Sequence, residues 1–584
     1  MPPQTDDETP PGASATPAAP AHARHTGHIR VLGHGRSADG ARFVELELRE
    51  AGEPTPVLVR TDNLLGRQGE EFSRLNRLGA HLLTAAAQRE LMDRLQADRP
   101  SGAAFHVATR LGWAGGAFVL PDEVIGAGGA PTRTYLAELP AEQLAGYRTG
   151  GTLDGARQLF ALARGNSRFQ LAAALALVGP LAPLVEVAPV GDQLTGWPGS
   201  GKTALGCVVS AIWGRSPDPA RAAQYGFGVP WHNTLNKLEA LAPAHQNGFL
   251  FLDDTRRAPR AQHSQARTVL DAAMQLEGGV SKGRLDGRAP HAWQLALLST
   301  SNLSLDQMAA AEGVPVDDAY RDRLIDVPPP TPGVGFFEDL HGAADLAGFV
   351  GRLKALAAQH FGLAIRRFLH GLAGLRQRYP DRLVGHLATR RREYLELCSG
   401  ITAPGRDLGR LHQKLATVYA AGCLGIGSGL FDWTREELAQ SLLRCTRDHV
   451  ALVAAHAPDL RDPLRVLCDY VTENEHGFQD VRDPRQPAPG PHEGCPGYVA
   501  AGSDGAGEYL FAAARFEAIL GGPAAARAAR QALLARGLLA TTTGGPGQPR
   551  FVVKRTLGRG ADGQPVRAYV LAVSARLRQA VQQG

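Results

Sequence analysis

Eight consecutive residues, Gly196-Trp197-Pro198-Gly199-Ser200-Gly201-Lys202-Thr203, place a lysine and a threonine directly behind a glycine-rich turn. The pattern G-x-x-x-x-G-K-S/T suits the holding of a nucleotide phosphate. Its glycines let backbone N–H groups surround the phosphate oxygens, its lysine supplies charge, and its hydroxyl reaches Mg²⁺. Lys202 is therefore expected on the outer phosphates and Thr203 on the metal, with ATP and Mg²⁺ as the expected ligands. The bland alternative is a glycine turn that opens a helix and binds nothing. The flanks favour phosphate: AALALVGPLAPLVEV and DQLT lead into a buried strand, and ALGCVVSAIWG has helical spacing, so the phosphate would sit on a helix N-terminus.

Fifty residues beyond Thr203, Gly248-Phe-Leu-Phe-Leu-Asp253-Asp254 reads as a buried strand ending in two acids. In such ATPases the first acid, here Asp253, holds Mg²⁺ through water and the second polarises the attacking water. Asp254 is one methylene shorter than the usual Glu, which weakens its assignment as base. Trp293–Asn302 (WQLALLSTSN) reads as another buried strand with a polar end, where Asn302 or Thr300 could sense the γ-phosphate. A common polar turn is the alternative. Arg321 and Arg323 lie in AYRDRLIDVP, and Arg323 is the better candidate for an arginine finger reaching a neighbouring subunit's nucleotide. A surface ion pair with Asp322 or Asp326 is the competing role. Between the acidic and polar strands, GGVSKGRLDGRAPH carries Lys282, Arg284 and Arg288, expected to grip nucleic-acid phosphates from a pore-facing hairpin. A solvated basic loop would look the same.

These residues need a sheet to bring them together. Strand candidates separated by helical stretches over 151–330 predict an α/β P-loop ATPase domain with a parallel sheet and covering helices, RecA-like or AAA+-like. Before it, 29–150 mixes strands with a helix and reads as an N-terminal α+β domain. Residues 1–28 are rich in Pro, Ala and Thr, lack the apolar core of a signal peptide, and read as a disordered tail; its histidines at 22, 25 and 28 are better taken as solvated than as a metal tract. After the break VPPPTPGVG, 331–460 reads as a helical lid. The last region, 461–584, ends in helix GPAAARAARQALLARGLL followed by strands RFVVKR and VRAYVLAV, the order of a winged helix. Arg527, Arg530 and Arg536 lie on that helix, and Lys554, Arg555 and Arg559 on the wing, where they would meet DNA; a wing used for protein contacts is the alternative.

Composition sets wider bounds. The chain has 584 residues, 44% hydrophobic and 20% charged, ordinary for a multi-domain globular protein. A net charge of +5 is compatible with nucleic acid without demanding it. Six cysteines without C-x-x-C pairs argue against a zinc ribbon or a disulfide framework and for a reducing cytoplasm. The longest apolar run, Leu171–Val185, holds Gly179, Pro180 and Pro183 and is too short to span a membrane.

The series GWAGGAFVLPDEVIG, LTGWPGSGKTALGCVVSAIWG, TLNKLEALAPAHQNGFLFLDD, GGVSKGRLDGRAPHAWQLALLSTSNLSL, RDRLIDVP, EYLF and VRAYVL resembles the bacterial, phage and plasmid family termed domain of unknown function 927. The resemblance implies a helicase-like ATPase or an inactivated derivative. Members usually carry Glu where this chain has Asp254, and Gly-Glu where it has Ser301-Asn302, so slow hydrolysis is expected. The first expectation is an oligomeric, ATP-driven, helicase-type DNA motor for replication or maintenance of a mobile element, a homo-oligomer for which a hexameric ring is one form. The second is a nucleotide-switched DNA-binding initiator, regulator or defence protein that does not unwind. A small-molecule kinase fits the chain length and helical lid poorly.

Overall fold

The computed structural model describes residues 26, 28–49, 54–66, 68–97, 103–126, 131–136, 139, 141–185, 190–218, 226–260, 264–281, 292–314, 316–403, 406–456, 463–490, 495–502, 505–543 and 549–582. They fall into two units that divide between Leu452 and Val453.

The first unit opens with a mixed sheet of β1 (Ile29–Ser37), β2 (Arg42–Leu48), β3 (Thr55–Arg60), β4 (Ala103–Ala108) and β5 (Thr132–Thr134), in the order β3-β2-β1-β4-β5. The first three strands pair antiparallel, and β4 lies parallel to both β1 and β5. Helices Gln68–Arg77 and Ala85–Ala97 bring Phe72, Leu75 and Leu91 onto Val44, Leu46 and Val59. Just ahead of β1, Thr26 donates a 2.6 Å hydrogen bond to Glu90, and the His28 ring contacts the Ala80 carbonyl at 2.8 Å.

A second five-stranded sheet is entirely parallel. Its strands β6 (Gly191–Thr195), β7 (Val229–Pro230), β8 (Phe249–Asp253), β9 (Ala296–Ser301) and β10 (Ile325–Val327) run in the order β7-β8-β9-β6-β10. Every residue of β6, β8 and β9 is buried, as a sheet covered on both faces requires. The two-residue period explains how one strand serves two cores: Phe249 and Phe251 join the cluster with Leu205, Val208 and Val209, whereas Leu250 and Leu252 join Val269, Leu270 and Leu276. Burying each such side chain contributes about 2 kcal/mol.

On the first face lie α1 (Leu153–Ala161), α2 (Ser167–Leu175) and α3 (Lys202–Ser210), and on the second α4 (Gln265–Gly278). Ser264 caps α4 by accepting from the Arg267 N–H, and Gly279, at φ 69°, ends it in the left-handed conformation. Gly206 lets α3 come close to β8, since a Cβ there would stand 2.1 Å from Phe251 Cζ. Beyond β10 the chain is helical: α5 (Leu346–Gln359), α6 (Leu363–Arg378), α7 (Pro380–Cys398), α8 (Gly409–Gly427) and α9 (Arg435–His456). No helix among the described residues is long and apolar enough to cross a membrane.

The second unit begins its regular structure with α10 (Pro463–Glu473), followed by β11 (Gln479–Asp480), β12 (Tyr498–Ala500), β13 (Glu508–Phe511), α11 (Ala513–Ile519), α12 (Pro523–Ala535), β14 (Val553–Arg559) and β15 (Pro565–Ser574). The strands form one sheet in the order β11-β12-β13-β15-β14. Leu464, Leu467 and Val471 of α10 and Ala526, Ala529 and Leu533 of α12 pack with Phe511, Leu571 and Val573.

Candidate functional site

The strand order decides where chemistry can happen. Because β6 lies between β9 and β10 while its following helix starts a path toward β7 at the far edge, the sheet has a crevice outside the C-terminal ends of β6, β9 and β8. The loop between β6 and α3 fills that crevice. Gly199 (φ 82°) and Gly201 (φ 96°) take left-handed conformations that favour glycine, which turns the chain sharply into α3. The loop is anchored at both ends: the Gly196 N–H donates to the Ser301 carbonyl at 3.1 Å, and the Ser200 carbonyl accepts from the Phe336 N–H at 2.9 Å.

Lys202 is the first residue of α3, and its Nζ donates to the carbonyls of Gly196 at 2.6 Å and Trp197 at 2.9 Å. Burial lowers its ammonium pKa to about 8, with the Arg256 guanidinium adding repulsion and Asp254 and Asp253 opposing. Thr203 donates to Asp253 Oδ1 at 2.8 Å, and Thr300, in the adjacent strand, donates to the same oxygen at 2.7 Å. Burial pushes the Asp253 carboxyl pKa upward, while these two hydroxyls pull it back. Thus Lys202, Thr203, Asp253 and Thr300 converge at the ends of three neighbouring strands.

Asp254 is arranged differently. Its backbone is left-handed (φ 59°), and its N–H donates to Thr300 Oγ1 at 2.8 Å. Its carboxylate faces Arg256, with contacts of 3.0 and 3.2 Å, and Arg257 at 3.7 Å. Asn302 follows the last residue of β9 and is half-buried, one step past the strand end. Pro198 completes the loop between the exposed Trp197, 57% accessible, and Gly199.

A cleft of about 380 Å³ opens beside the loop, lined by Gly199, Lys202, Thr203, Leu346, Val350 and Lys354. Lys354 comes from α5, and sequence reasoning gave it no role. Its only signal was its rarity as one of six lysines in a chain that otherwise uses arginine. A roomier apolar cleft of about 780 Å³, between α6, α7 and α8, contains none of the phosphate-loop residues.

The two candidate finger arginines are both engaged within the chain. Arg323 pairs with Glu277 at 2.5 Å and donates to the Ala319 carbonyl, and Glu277 also holds Lys414 at 2.7 Å. Arg321 grips Asp306 at 2.6 Å and Asp318 at 2.9 Å. Lys282, Arg284 and Arg288 lie outside the described residues. In the second unit, Arg555 pairs with Glu508 at 2.8 Å, and Lys554 lies over the Tyr569 ring.

Oxygen donors from Thr203 and Asp253, 2.8 Å apart and next to the phosphate loop, suit a hard cation such as Mg²⁺, which takes few protein ligands and completes its shell with water and phosphate.

Residues 13–286 match the family described as domain of unknown function 927 (DUF927), the family that the motif series resembles. No curated protein matches the chain. Among solved structures, the active helicase Cch of SCCmec type IV is similar over 95% of this chain and 94% of its own, with a TM-score of 0.60 at 14% identity. The likeness is one of fold: mixed α/β, with a parallel sheet and helices. The A-form apo structure of the NrS-1 C-terminal region aligns over 69% of this chain and 88% of its own at 9% identity, with a TM-score of 0.25.

Proposed function

From the DUF927 match of residues 13–286, taken with the site at the ends of β6, β8 and β9, we infer an ATP-dependent, helicase-like motor acting on DNA. On this reading the parallel-sheet region is a P-loop ATPase core, and the closing helices and hairpin of the second unit are a winged-helix-like module. The setting would be replication or maintenance of a mobile element, which the resemblance to a helicase of SCCmec supports.

One observation carries the reading: two hydroxyls from different strands, Thr203 and Thr300, meet on one oxygen of Asp253 beside the Lys202 ammonium. Loop N–H groups and Lys202 would hold the phosphates, and Thr203 with Asp253 would hold Mg²⁺. When bound, the metal neutralises charge on the phosphate oxygens. Lys202 would exchange its two carbonyl partners for phosphate oxygens. Thr300 fixes Asp253 and also holds the backbone of Asp254, whose carboxylate would orient the attacking water. Asn302 would contact the outer phosphate from the strand end. Arg323 would serve a neighbouring copy's nucleotide in a homo-oligomer, a ring of six being one form, once it leaves Glu277.

Steady-state ATP hydrolysis without nucleic acid, with single-stranded DNA and with duplex DNA tests the reading, with Lys202→Ala as control. Hydrolysis that rises with DNA and vanishes in the variant is expected, followed by displacement of an annealed strand. Activity indifferent to DNA would sink the motor.

A second reading, a nucleotide-switched DNA-binding protein that does not unwind, draws on Asp254. The carboxylate that would polarise water is instead neutralised by Arg256. Nucleotide binding with negligible turnover, restored by Arg256→Ala or Asp254→Glu, would support it.

A further inference from the structure

The hairpin of β14 and β15 turns one face to solvent that the phosphate-loop chemistry leaves unused. In its antiparallel register Lys554 stands opposite Tyr569, and Thr556 opposite Arg567. The two-residue period puts these four side chains on one face. The other face is structural: Val553 and Val570 are buried there, and Arg555 is tied to Glu508.

On the outward face Tyr569 is 70% exposed, far more than a ring placed there for packing. The Lys554 ammonium lies 5.8 Å from the centre of the ring, within cation–π range. Arg567 is exposed one pair further along the hairpin. Among the residues paired in this hairpin none is a carboxylate; Asp562, in the turn, accepts from the Gln564 N–H. With Lys554 across from the ring and Arg567 two residues along its strand, the occupant that fits brings negative charge next to a flat apolar group. A nucleotide with an unpaired base does so, whereas a duplex keeps its base faces stacked against each other.

We propose that this face is a base-stacking platform for single-stranded nucleic acid, with Tyr569 against a base and Lys554 and Arg567 on the flanking phosphates. It rests on the reading of the chain as a nucleic-acid motor. Thr556 lies between the cations, where its hydroxyl can donate to a phosphate or sugar oxygen.

The test uses the full chain and the variants Tyr569→Ala, Tyr569→Phe and Arg567→Ala. Each is titrated by fluorescence anisotropy against labelled oligothymidylate, oligouridylate of equal length and a mixed-sequence duplex. Tyr569→Ala is expected to weaken single-strand binding on the order of tenfold, and Tyr569→Phe by less than about twofold because the ring remains. Duplex affinity should change by less than about twofold in both. Arg567→Ala should weaken single-strand binding and flatten its salt dependence by about one ion. The wild-type ratio of thymidylate to uridylate affinity tells which sugar the platform takes. Single-strand affinity that ignores Tyr569, losses equal for duplex and single strand, or no binding by the wild type each overturn the proposal, the first in favour of a hairpin that docks protein. ATP hydrolysis by wild type and Lys202→Ala separates the two ideas. A Tyr569 effect without any hydrolysis leaves the platform standing and removes the motor, and Lys202-dependent hydrolysis without a Tyr569 effect does the reverse.

Discussion

Lys202 is a titratable part of its own site. With its pKa near 8 it loses its proton in mildly alkaline solution, and only the charged form attracts phosphate. Nucleotide affinity is therefore expected to fall as pH rises through about 8, by up to about tenfold per unit, measured by titration of a fluorescent ATP analogue. Lys202→Arg should bind in a pH-independent manner over the same range, because guanidinium does not titrate there. Asp192, two residues into β6, presents the opposite problem. It is fully buried, neither carboxyl oxygen has a hydrogen-bond partner among the described residues, and burial raises its pKa to about 7 despite the opposing charge of Lys414. A carboxyl whose pKa is raised by folding contributes stability below its unfolded value and loses it as pH rises through the folded one. Asp192→Asn should therefore stabilise the fold more at pH values above about 7 than in acid, read as the difference in melting temperature from wild type. The sequence shows Lys202 and its loop plainly because they are contiguous. It does not show that Asp192 lacks partners, since that depends on what covers β6 from helices more than 200 residues away.

At the scale of elements, the site depends on how closely α3 lies on β8. Gly206→Ala would force the helix off Phe251, an overpacking cost of about 1–3 kcal/mol in denaturant unfolding, and would move Thr203 relative to Asp253. Nucleotide affinity should drop together with stability in that variant. Helix α5 contributes Lys354 to the same cleft. Lys354→Ala is expected to weaken ATP binding about tenfold while leaving unfolding unchanged, as loss of one charge-assisted contact from an exposed side chain would. Short apolar runs could mark the buried strands, because β8 has Phe-Leu-Phe-Leu before Asp253 and β9 has Ala-Leu-Leu before Ser299. The pairing of Thr300 with Asp253 follows instead from β9 lying between β8 and β6, an order that no local pattern encodes. Similarly, the Arg323–Glu277 pair joins the end of α4 to the approach of β10, so the arginine's immediate neighbours in sequence could not reveal its partner.

Across the whole molecule, the buried clusters respect the division at Leu452, with the sheet-and-helix cores in the first unit and the cluster around Phe511 and Leu533 in the second. Calorimetry is expected to resolve two unfolding transitions, and Asp192→Asn should move only the one belonging to the first unit. A single transition shifted as a whole would contradict that. The distribution of tryptophan has a practical result. Five of the six indoles, Trp113, Trp213, Trp231, Trp293 and Trp433, are buried at 7% exposure or less, while Trp197 stands in water at 57% within the phosphate loop itself. The chain thus carries an optical reporter at its candidate site: red-shifted emission, selectively quenched by acrylamide, comes from that one ring, and its protection on adding nucleotide can be followed in the unlabelled, unmutated protein.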